Sequence, residues 1–456
     1  MRVFKHAKHI FFAGIGGIGM SGIAEIMIRN GYRVSGSDRN LTDITSYLVG
    51  LGAEIYEGHS AKNLKDVDVL VYSSAVRDDN PERQEAFRRD MPQIRRAEML
   101  AEVMRLKYGV AVAGTHGKTT TTAMLSEIFI HAGLDPTVVI GGRLHSLKTN
   151  ARQGAGEYFI AEADEYDRSF LALSPVFAII TSIDADHLDC YRDLEDIENT
   201  FLKFAQKIPF YGSLIGCYDN PSVKKITGEL KCPVVSYGSD GSAEFYPLKI
   251  EFSGNGSGFR LMHQKSDLGC IQLKIPGKHN ILNALAAVAL SLEIDIPFKA
   301  IQEALAAFTG VERRFQVKGI RKNITIVDDY AHHPAEIKAT LSGARSGYKR
   351  RLIAVFQPHL FSRTRDFYRE FAEALSTADI VVITDIYPAR EKTIPGISSA
   401  LIVDILKKTS KAKIYFIPER REIAGNLVSI LQPDDLVITL GAGDIWKTGE
   451  ELLEMI

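Results

Sequence analysis

The sequence predicts an α/β protein of three domains. Two of the three observations behind this prediction are glycine-rich loops, at residues 14–19 and 114–119, each placed between an apolar stretch and a helical pattern. The third is the alternation of strand-like and helix-like stretches along the chain, which is typical of parallel, doubly wound sheets. A chain of 456 residues, 45% of them hydrophobic, is long enough for about three such domains.

The first domain is predicted over residues 1–107. Its strands are expected at 10–13, 33–38 and 69–72, with a helix at about 18–30. A strand that enters a glycine-rich loop and continues as a helix is the start of a Rossmann-like domain. The charged stretch after the third strand and the helix that follows it lead to the predicted boundary.

The central and C-terminal domains are predicted over 108–314 and 315–456. In the central domain we expect strands at 110–113, 158–163 and 177–183 and a segment of antiparallel hairpins at 244–276. Helices are expected there at 118–132, 194–207, 280–293 and 298–308. In the C-terminal domain, strands at 324–327, 352–356, 380–384, 414–417 and 436–440 alternate with helices. The prediction is therefore a P-loop, ATPase-type central domain followed by a second Rossmann-like domain.

Composition excludes several classes of function. With Lys+Arg at 55 and Asp+Glu at 56, the net charge is -1, so we expect neither nucleic-acid binding nor attraction to anionic membranes. The uncharged run at 10–24 is broken by glycines and is interpreted as a loop and helix rather than a secretion signal or a membrane span. Four cysteines without C-x-x-C spacing favour a reducing compartment. We therefore expect a cytoplasmic protein, either a monomer or a weak homodimer.

The first loop suits a diphosphate held by backbone amides. Its glycines are Gly14, Gly16, Gly17 and Gly19, and Asp38 follows at the end of the next predicted strand. A carboxylate at this spacing can bind a ribose diol, so an NAD-binding domain is one interpretation. A solvated residue at the strand end is the other interpretation of Asp38.

The second loop carries a lysine and hydroxyls, which suits a nucleoside triphosphate with Mg2+. It consists of Gly114, Thr115, His116, Gly117, Lys118, Thr119 and Thr120. Lys118 can reach the β- and γ-phosphates, and Thr119 can ligate Mg2+. Val112 occupies the position of the first glycine of a full Walker motif, so the loop is a shortened variant. The alternative is a glycine turn followed by a surface lysine.

Two acidic clusters follow predicted strands, at 162–167 and 184–189. The carboxyl ends of parallel strands share one edge of a sheet, so both clusters can converge on a metal bound to the triphosphate. Individually, Asp164, Asp167, Asp184 and Asp189 are interpreted as solvated or helix-capping residues.

The ordered set of motifs resembles the Mur ligase family over almost the whole chain. The motifs lie at 14–21, 114–120, 162–167, 186–187, 277–284, 313–315, 328–334, 357–359 and 441–444. The resemblance implies an ATP-dependent ligase that activates the lactyl carboxylate of UDP-N-acetylmuramate as an acyl phosphate and joins it to L-alanine. It also implies that the first domain binds the UDP-sugar, the second binds ATP with Mg2+, and the third closes over both and contacts the amino acid.

The resemblance also assigns roles to residues. The UDP-sugar contacts implied are the first glycine loop, Asp38, Ser73 and Ser74, although the two serines could instead cap a helix. Around ATP and the metal it implies the second loop with Glu162, His187, His279, Asn280, Asn283, Arg314 and Asp329, the metal ligands being Thr119, Glu162 and His187. For the amino acid it implies His332, His333, His359 and Arg363. The catalytic residues implied are then Lys118, His187, Arg314 and His332, with Arg313 beside Arg314 at the γ-phosphate. The alternative for the two arginines is a solvated pair.

One departure bears on the amino-acid site. Many relatives have Arg-Tyr after Gln-Pro-His, whereas this chain has Leu360-Phe361. One cation is therefore missing beside the carboxylate of the amino-acid substrate, and Arg363 is expected to bind this carboxylate alone. The alternatives kept open are a muropeptide ligase, the more distant folylpolyglutamate synthase, an NAD-dependent oxidoreductase, and a mechanical P-loop ATPase.

Overall fold

The computed structural model describes residues 4, 6–142, 150–186, 190–254, 256–389 and 391–456. Its strands form three sheets, one for each predicted α/β region. The predicted fold class is therefore confirmed. Within the described residues, no helix combines the length and the apolar character needed to cross a bilayer.

The N-terminal sheet is parallel and has the order β3-β2-β1-β4-β5. Its central strand β1 is buried at every residue, as expected for a strand covered by helices on both faces. The elements are β1 (His9–Ala13), α1 (Ile18–Arg29), β2 (Arg33–Asp38), α2 (Asp43–Gly50), β3 (Glu54–Glu57), β4 (Val69–Tyr72), α3 (Pro81–Arg88), β5 (Gln93–Arg95) and α4 (Arg96–Met104).

The central sheet has the order β15-β14-β13-β12-β11-β10-β6-β9-β7-β8. Strand β6 lies between β9 and β10 and is parallel to both. The elements are β6 (Tyr108–Ala113), α5 (Lys118–His131), β7 (Thr137–Val139), β8 (Ala151–Arg152), β9 (Tyr158–Ala163), β10 (Phe177–Ile180), α6 (Leu194–Ala205), β11 (Ser213–Cys217), α7 (Pro221–Thr227), β12 (Val234–Tyr237), β13 (Phe245–Ser253), β14 (Gly256–His263), β15 (Ser266–Leu273), α8 (Lys278–Glu293) and α9 (Phe298–Ala307).

The C-terminal sheet has the order β16-β17-β21-β18-β19-β20, and all pairs are parallel except β16 with β17. The elements are β16 (Gln316–Arg321), β17 (Ile324–Asp329), α10 (Pro334–Gly347), β18 (Leu352–Phe356), α11 (Phe361–Leu375), β19 (Ile380–Ile383), α12 (Ala400–Thr409), β20 (Lys413–Phe416), α13 (Arg420–Val428), β21 (Leu436–Leu440) and α14 (Trp446–Met455).

The chain divides into two compact units. The first comprises residues 1–247, 261–268 and 282–305, and the second comprises 248–260, 269–281 and 306–456. Within the first unit, the N-terminal and central sheets share one hydrophobic core, because Met20 and Met99 belong to the same buried cluster as Phe170 and Phe201. Helix α4 packs against the 3-10 segment Tyr166–Ala172, which brings the start of α4 close to the acidic loop after β9.

Candidate active site

The second glycine loop joins β6 to α5, as the sequence predicts. Gly114 and Gly117 have φ angles of 133° and 84°, which side-chain-bearing residues rarely adopt. A Cβ at Gly117 would lie 2.5 Å from Oδ1 of Asn283, and one at Gly114 would collide with Thr181. The loop therefore requires glycine at both positions for conformation and for space.

Part of this loop is tied to the segment after β10. The amides of Thr115 and His116 donate to the carbonyl and hydroxyl of Ser182 over 2.9 and 3.1 Å. These two amides therefore bond to the protein itself and do not point into the loop. The physical reason is that β10 is the neighbour of β6, so the chain leaving it runs alongside the loop. The first amides of α5 still point along the helix axis, because the first turn of any helix lacks intrahelical acceptors for them.

Lys118 is paired with a carboxylate that the sequence does not single out. Its Nζ lies 2.7 and 3.0 Å from the two carboxylate oxygens of Glu165 and donates to the carbonyl of Gly114 over 2.6 Å. The Glu165 side chain is only 3% exposed and the Lys118 side chain 16%. Burial opposes protonation of the amine, but Glu165 and Asp164 outweigh it and raise the pKa of Lys118. The lysine is therefore a buried cation held at the loop.

Thr119 and Glu162, two of the three predicted metal ligands, lie next to each other. The Thr119 hydroxyl donates to Oε2 of Glu162 over 3.1 Å, and the amide of Gly141 donates to Oε1 over 2.7 Å. A hydroxyl beside a carboxylate is a hard-oxygen donor set that fits Mg2+. The third predicted ligand, His187, lies outside the described residues. Among the residues that are described, His, Cys, Asp and Glu form no group of three or more that could hold a metal.

Asn283 reaches the same loop from α8. The hydroxyl of Thr121 donates to Oδ1 of Asn283 over 3.3 Å, and both side chains are buried. Thr120, which the motif includes, is itself 8% exposed. The amide of Asn283 is thus placed at the phosphate loop, which is where the family resemblance implies a nucleotide contact.

The first glycine loop is held closely to the end of β2. Gly14 and Ile15 donate their amides to the carbonyl of Ser37, and the amide of Gly16 donates to Oδ2 of Asp38 over 2.9 Å. Asp38 therefore stabilises the loop in addition to any ligand contact. Ser73 lies next to Gly14 in a turn, before α3 begins at Pro81, so the helix-capping interpretation of the two serines does not hold.

The carbonyl of Ser37 is backed by a buried polar network. Oε2 of Glu82, a fully buried residue, lies 2.8 Å from the Ser37 hydroxyl and 3.0 Å from Nδ1 of His59. The other oxygen accepts from the side-chain amide of Asn63 over 2.8 Å. Glu82, His59 and Asn63 thus hold Ser37, whose carbonyl binds the first loop, and no sequence motif indicated them.

In the second unit, His279, Arg314 and Asp329 form a charged neighbourhood. Burial, with Arg314 nearby, lowers the pKa of His279 to about 4. The carboxylate of Asp329 accepts from the amides of Phe315 and Ala331 over 2.9 and 2.8 Å, and burial raises its pKa to about 6. Asp329 thus fixes the turn that carries Arg314, and its contact with the ATP ribose stays a prediction. Asn280 is buried and donates to the carbonyl of Pro276 over 2.7 Å.

Arg313 and Arg314 have different surroundings. Nε of Arg313 lies 2.9 Å from the buried carboxylate of Asp328, and Nη2 donates to the carbonyl of Gly441 over 2.6 Å. Arg314 is 30% exposed and lies 3.6 Å from Glu336. The structure therefore gives Arg313 a clear role in packing, whereas Arg314 is the better candidate for contact with a ligand.

The residues predicted for the amino acid cluster around α10 and α11. The rings of His332 and His359 lie 5.9 Å apart, and His359 stacks on Tyr387. Burial and the nearby cation of Arg363 lower the pKa of His332 well below its usual range, although Glu336 opposes this. His333 instead caps α10 and packs on Phe367. Leu360 has a φ of 71°, a strained conformation at the start of α11.

Comparison with known proteins settles the family. Models of the Mur ligase family catalytic domain, the Mur ligase middle domain and the Mur ligase glutamate ligase domain match residues 9–108, 112–291 and 313–443. The chain belongs to the Mur ligase family. The predicted boundaries at 107 and 314 are not tested by these matches and stay predictions.

Two relatives with assigned names are similar to this Mur ligase over its full length. It is 51% identical over 454 residues to UDP-N-acetylmuramate--L-alanine ligase of Geotalea uraniireducens, covering 100% of this chain and 99% of the relative. It is 50% identical over 453 residues to the protein of that name from Geobacter sulfurreducens, covering 99% and 98%.

Two solved structures resemble this Mur ligase over nearly its whole length. The UDP-N-acetylmuramate-alanine ligase of Thermotoga maritima has a TM-score of 0.83 at 32% identity, covering 98% of each chain. A murein peptide ligase of Psychrobacter arcticus has a TM-score of 0.72 at 25% identity, again covering 98% of each.

The buried histidine His279 predicts a pH dependence of stability for this Mur ligase. The unfolded chain binds a proton at His279 below pH 6.5, but the folded protein does so only below about 4. Stability should therefore fall as the pH falls through this window, by about 1.4 kcal/mol per pH unit for one such group. We expect His279→Gln to lose less stability than the wild type between pH 6.5 and 4.5 in urea unfolding. Parallel pH profiles for the two proteins would contradict this.

Proposed function

We propose that the chain joins L-alanine to the lactyl carboxylate of UDP-N-acetylmuramate, with conversion of ATP to ADP and phosphate, in peptidoglycan synthesis. The observation that carries the proposal is identity of about half over the full length to ligases named for this reaction. The phosphate loop supports it independently, because consecutive residues of the loop supply a buried cation, Lys118 held by Glu165, and a hydroxyl, Thr119 bonded to Glu162. As a Mur ligase, the chain is an ATP-dependent enzyme that forms amide bonds.

The first step transfers the γ-phosphoryl group. A lactyl oxygen forms a bond to the γ-phosphorus while the bond to the β,γ-bridging oxygen breaks, which releases ADP. The lactyl carboxylate is already anionic at neutral pH, so this step depends on positioning and on charge neutralisation rather than on a base. Lys118 and Arg314 supply the cationic side chains. Bound Mg2+, held by Thr119, Glu162 and His187, would supply further positive charge at the phosphate oxygens.

The second step forms the amide. The amine of L-alanine attacks the acyl carbon, the bond from that carbon to the phosphate oxygen breaks, and phosphate leaves. The attacking ammonium must first lose a proton. His332 is the proposed acceptor of this proton; burial lowers its pKa and weakens it as a base, and the negative charge of the bound substrates would raise that pKa again. His359 and Arg363 are the proposed contacts of the substrate carboxylate.

The cellular context is part of the same proposal. The substrates UDP-N-acetylmuramate and L-alanine are small molecules, and the near-neutral net charge of -1 offers no general attraction to nucleic acid or anionic membranes. The proposal places the enzyme in the cytoplasm.

The remaining rival within the family is a muropeptide ligase, which adds a preformed peptide to the same nucleotide sugar. The murein peptide ligase of Psychrobacter arcticus shares the fold but only 25% identity, half of the value for the relatives named as L-alanine ligases. The NAD-dependent oxidoreductase leaves the buried Lys118 and its loop without a purpose.

The test is a phosphate-release assay with purified protein, ATP and Mg2+. We expect release to require both UDP-N-acetylmuramate and L-alanine, with L-alanine preferred over L-serine and glycine. Release with ATP alone would indicate a simple ATPase and contradict the proposal. Preference for a tripeptide over L-alanine would establish the muropeptide ligase instead.

A further inference from the structure

A cavity of about 830 Å3 opens in the first unit next to Ser74. One wall is formed by the turn after β4 and the start of α4, and the other by the acidic loop after β9. Residues from the first wall include Ser74, Arg96 and Glu98, and those from the second include Asp164 and Tyr166. Its volume is within the usual range for small-molecule sites.

Arg96 lies between the first glycine loop and the acidic loop. A Cβ added to Gly19 would lie 2.9 Å from Nη1 of Arg96, so the guanidinium packs directly on the first turn of α1. On its other side, Nη2 lies 3.9 Å from Oδ2 of Asp164. The two side chains are 28% and 47% exposed. This pair is long and solvated, so the attraction between its members is weak.

The acidic loop connects this arginine to the second glycine loop. Glu165, which follows Asp164 directly, is the residue that holds Lys118. Arg96 therefore lies beside the proposed diphosphate loop and near Asp164, the sequence neighbour of the residue that holds Lys118.

We propose that Arg96 binds the lactyl carboxylate of the nucleotide sugar and holds it for phosphoryl transfer. The inference rests on the proposed function. A guanidinium presents paired donors that match a carboxylate, and a ligand carboxylate would replace the distant contact with Asp164 by two short, charge-assisted hydrogen bonds. The diphosphate has other donors, since the amides at the start of α1 can bind it without Arg96.

The carboxylate, rather than the diphosphate, fits the position of Arg96 for two reasons. First, the guanidinium lines the cavity together with Asp164 and Tyr166, and Glu165 between these two residues holds Lys118. Second, the carboxylate is the group that has to reach the γ-phosphate. Arg96 is then a substrate-binding residue that orients the nucleophile.

The experiment compares binding of two ligands by calorimetry in the full-length protein. UDP-N-acetylmuramate carries the lactyl carboxylate, and UDP-N-acetylglucosamine has the same diphosphate and sugar ring without it. We expect Arg96→Gln to weaken binding of the first about 10- to 100-fold, the range for a hydrogen bond to a charged group, and to change binding of the second less than threefold. Arg96→Lys, which keeps the charge but loses the paired geometry, should show an intermediate, equally selective loss.

The matched control is Arg105→Gln on the same helical segment. Arg105 is 59% exposed, forms an ion pair with Glu102 at 3.2 Å and does not line the cavity. This variant should therefore bind both ligands as the wild type does. Equal losses for both ligands in Arg96→Gln would assign Arg96 to the diphosphate and overturn the inference, as would unchanged binding. Because neither ATP nor L-alanine is present, failure here is distinct from failure of the phosphate-release assay.

Discussion

Replacing Lys118 by alanine is expected to reduce phosphate release by about 100- to 1,000-fold, a typical loss when a preorganised group that stabilises a transition state is removed. Binding of UDP-N-acetylmuramate should stay within a few fold of the wild type. The first glycine loop connects β1 to α1, and the hydrogen bonds described for it go to Ser37 and Asp38 and not to Lys118. Steady-state kinetics and calorimetry with the nucleotide sugar measure the two quantities separately.

The variant has a structural consequence that must be separated from the catalytic one. Lys118→Ala leaves the carboxylate of Glu165, 3% exposed, without its neighbouring cation. Breaking a buried ion pair in this way costs about 3 to 5 kcal/mol. The double variant Lys118→Ala, Glu165→Gln removes the uncompensated charge, so we expect it to recover most of the lost stability in thermal unfolding and none of the activity.

A second lysine of similar construction serves as the control. Nζ of Lys107 donates to the hydroxyl of Thr137 over 2.8 Å and to the carbonyl of Gly154 over 2.6 Å. Lys107→Ala therefore removes a partly buried amine away from the phosphate loop. It should lower stability while retaining turnover by the folded protein. Recovery of turnover in the double variant of Lys118 and Glu165 would show that Lys118 acts through stability alone.

The strands and both loops could be predicted because their signals are local. Apolar stretches such as β6 and β18 are buried at nearly every residue, and glycines at fixed offsets mark the turns after β1 and β6. The position of Glu162 beside Thr119 also followed from the sequence, since parallel strands carry their following loops to one edge of the sheet. These features depend on periodicity and chain order, which a single sequence contains.

The partners of charged groups could not be predicted in the same way. The acidic stretch 162–167 offers several carboxylates to Lys118, and only the turn of the chain after β9 selects Glu165. In the sequence, Arg96 is one of several charged residues after the third predicted strand, and only the packing of α4 shows that it contacts Gly19. Likewise, the adjacent residues Arg313 and Arg314 have the same side chain but face different neighbours. These contacts depend on how loops that are far apart in the sequence come together in the folded chain.

This difference between the two arginines gives the second prediction of large effect. Arg314→Gln is expected to lower kcat by about a thousandfold, the lower end of the range for an arginine that stabilises a transferred phosphoryl group. Its effect on thermal stability should be smaller than that of Arg313→Gln, because Arg314 lies 3.6 Å from Glu336 and is 30% exposed, whereas Arg313 lies 2.9 Å from a buried carboxylate. The measurement is kcat under saturating substrates, together with the melting temperature of the folded variant.

Arg313→Gln is the matched variant, since it removes the same charge from the neighbouring residue. It leaves the carboxylate of Asp328, 1% exposed, without its cation and removes the donor to the carbonyl of Gly441. We therefore expect a loss of about 3 kcal/mol in unfolding free energy, with turnover per folded molecule within tenfold of the wild type at low temperature. If Arg314→Gln retained its kcat, or if the two variants lost stability equally, the separation of a ligand-binding arginine from a packing arginine would be wrong. The two residues would then act as one structural unit, because a shared loss of stability is what a common role in holding the turn produces.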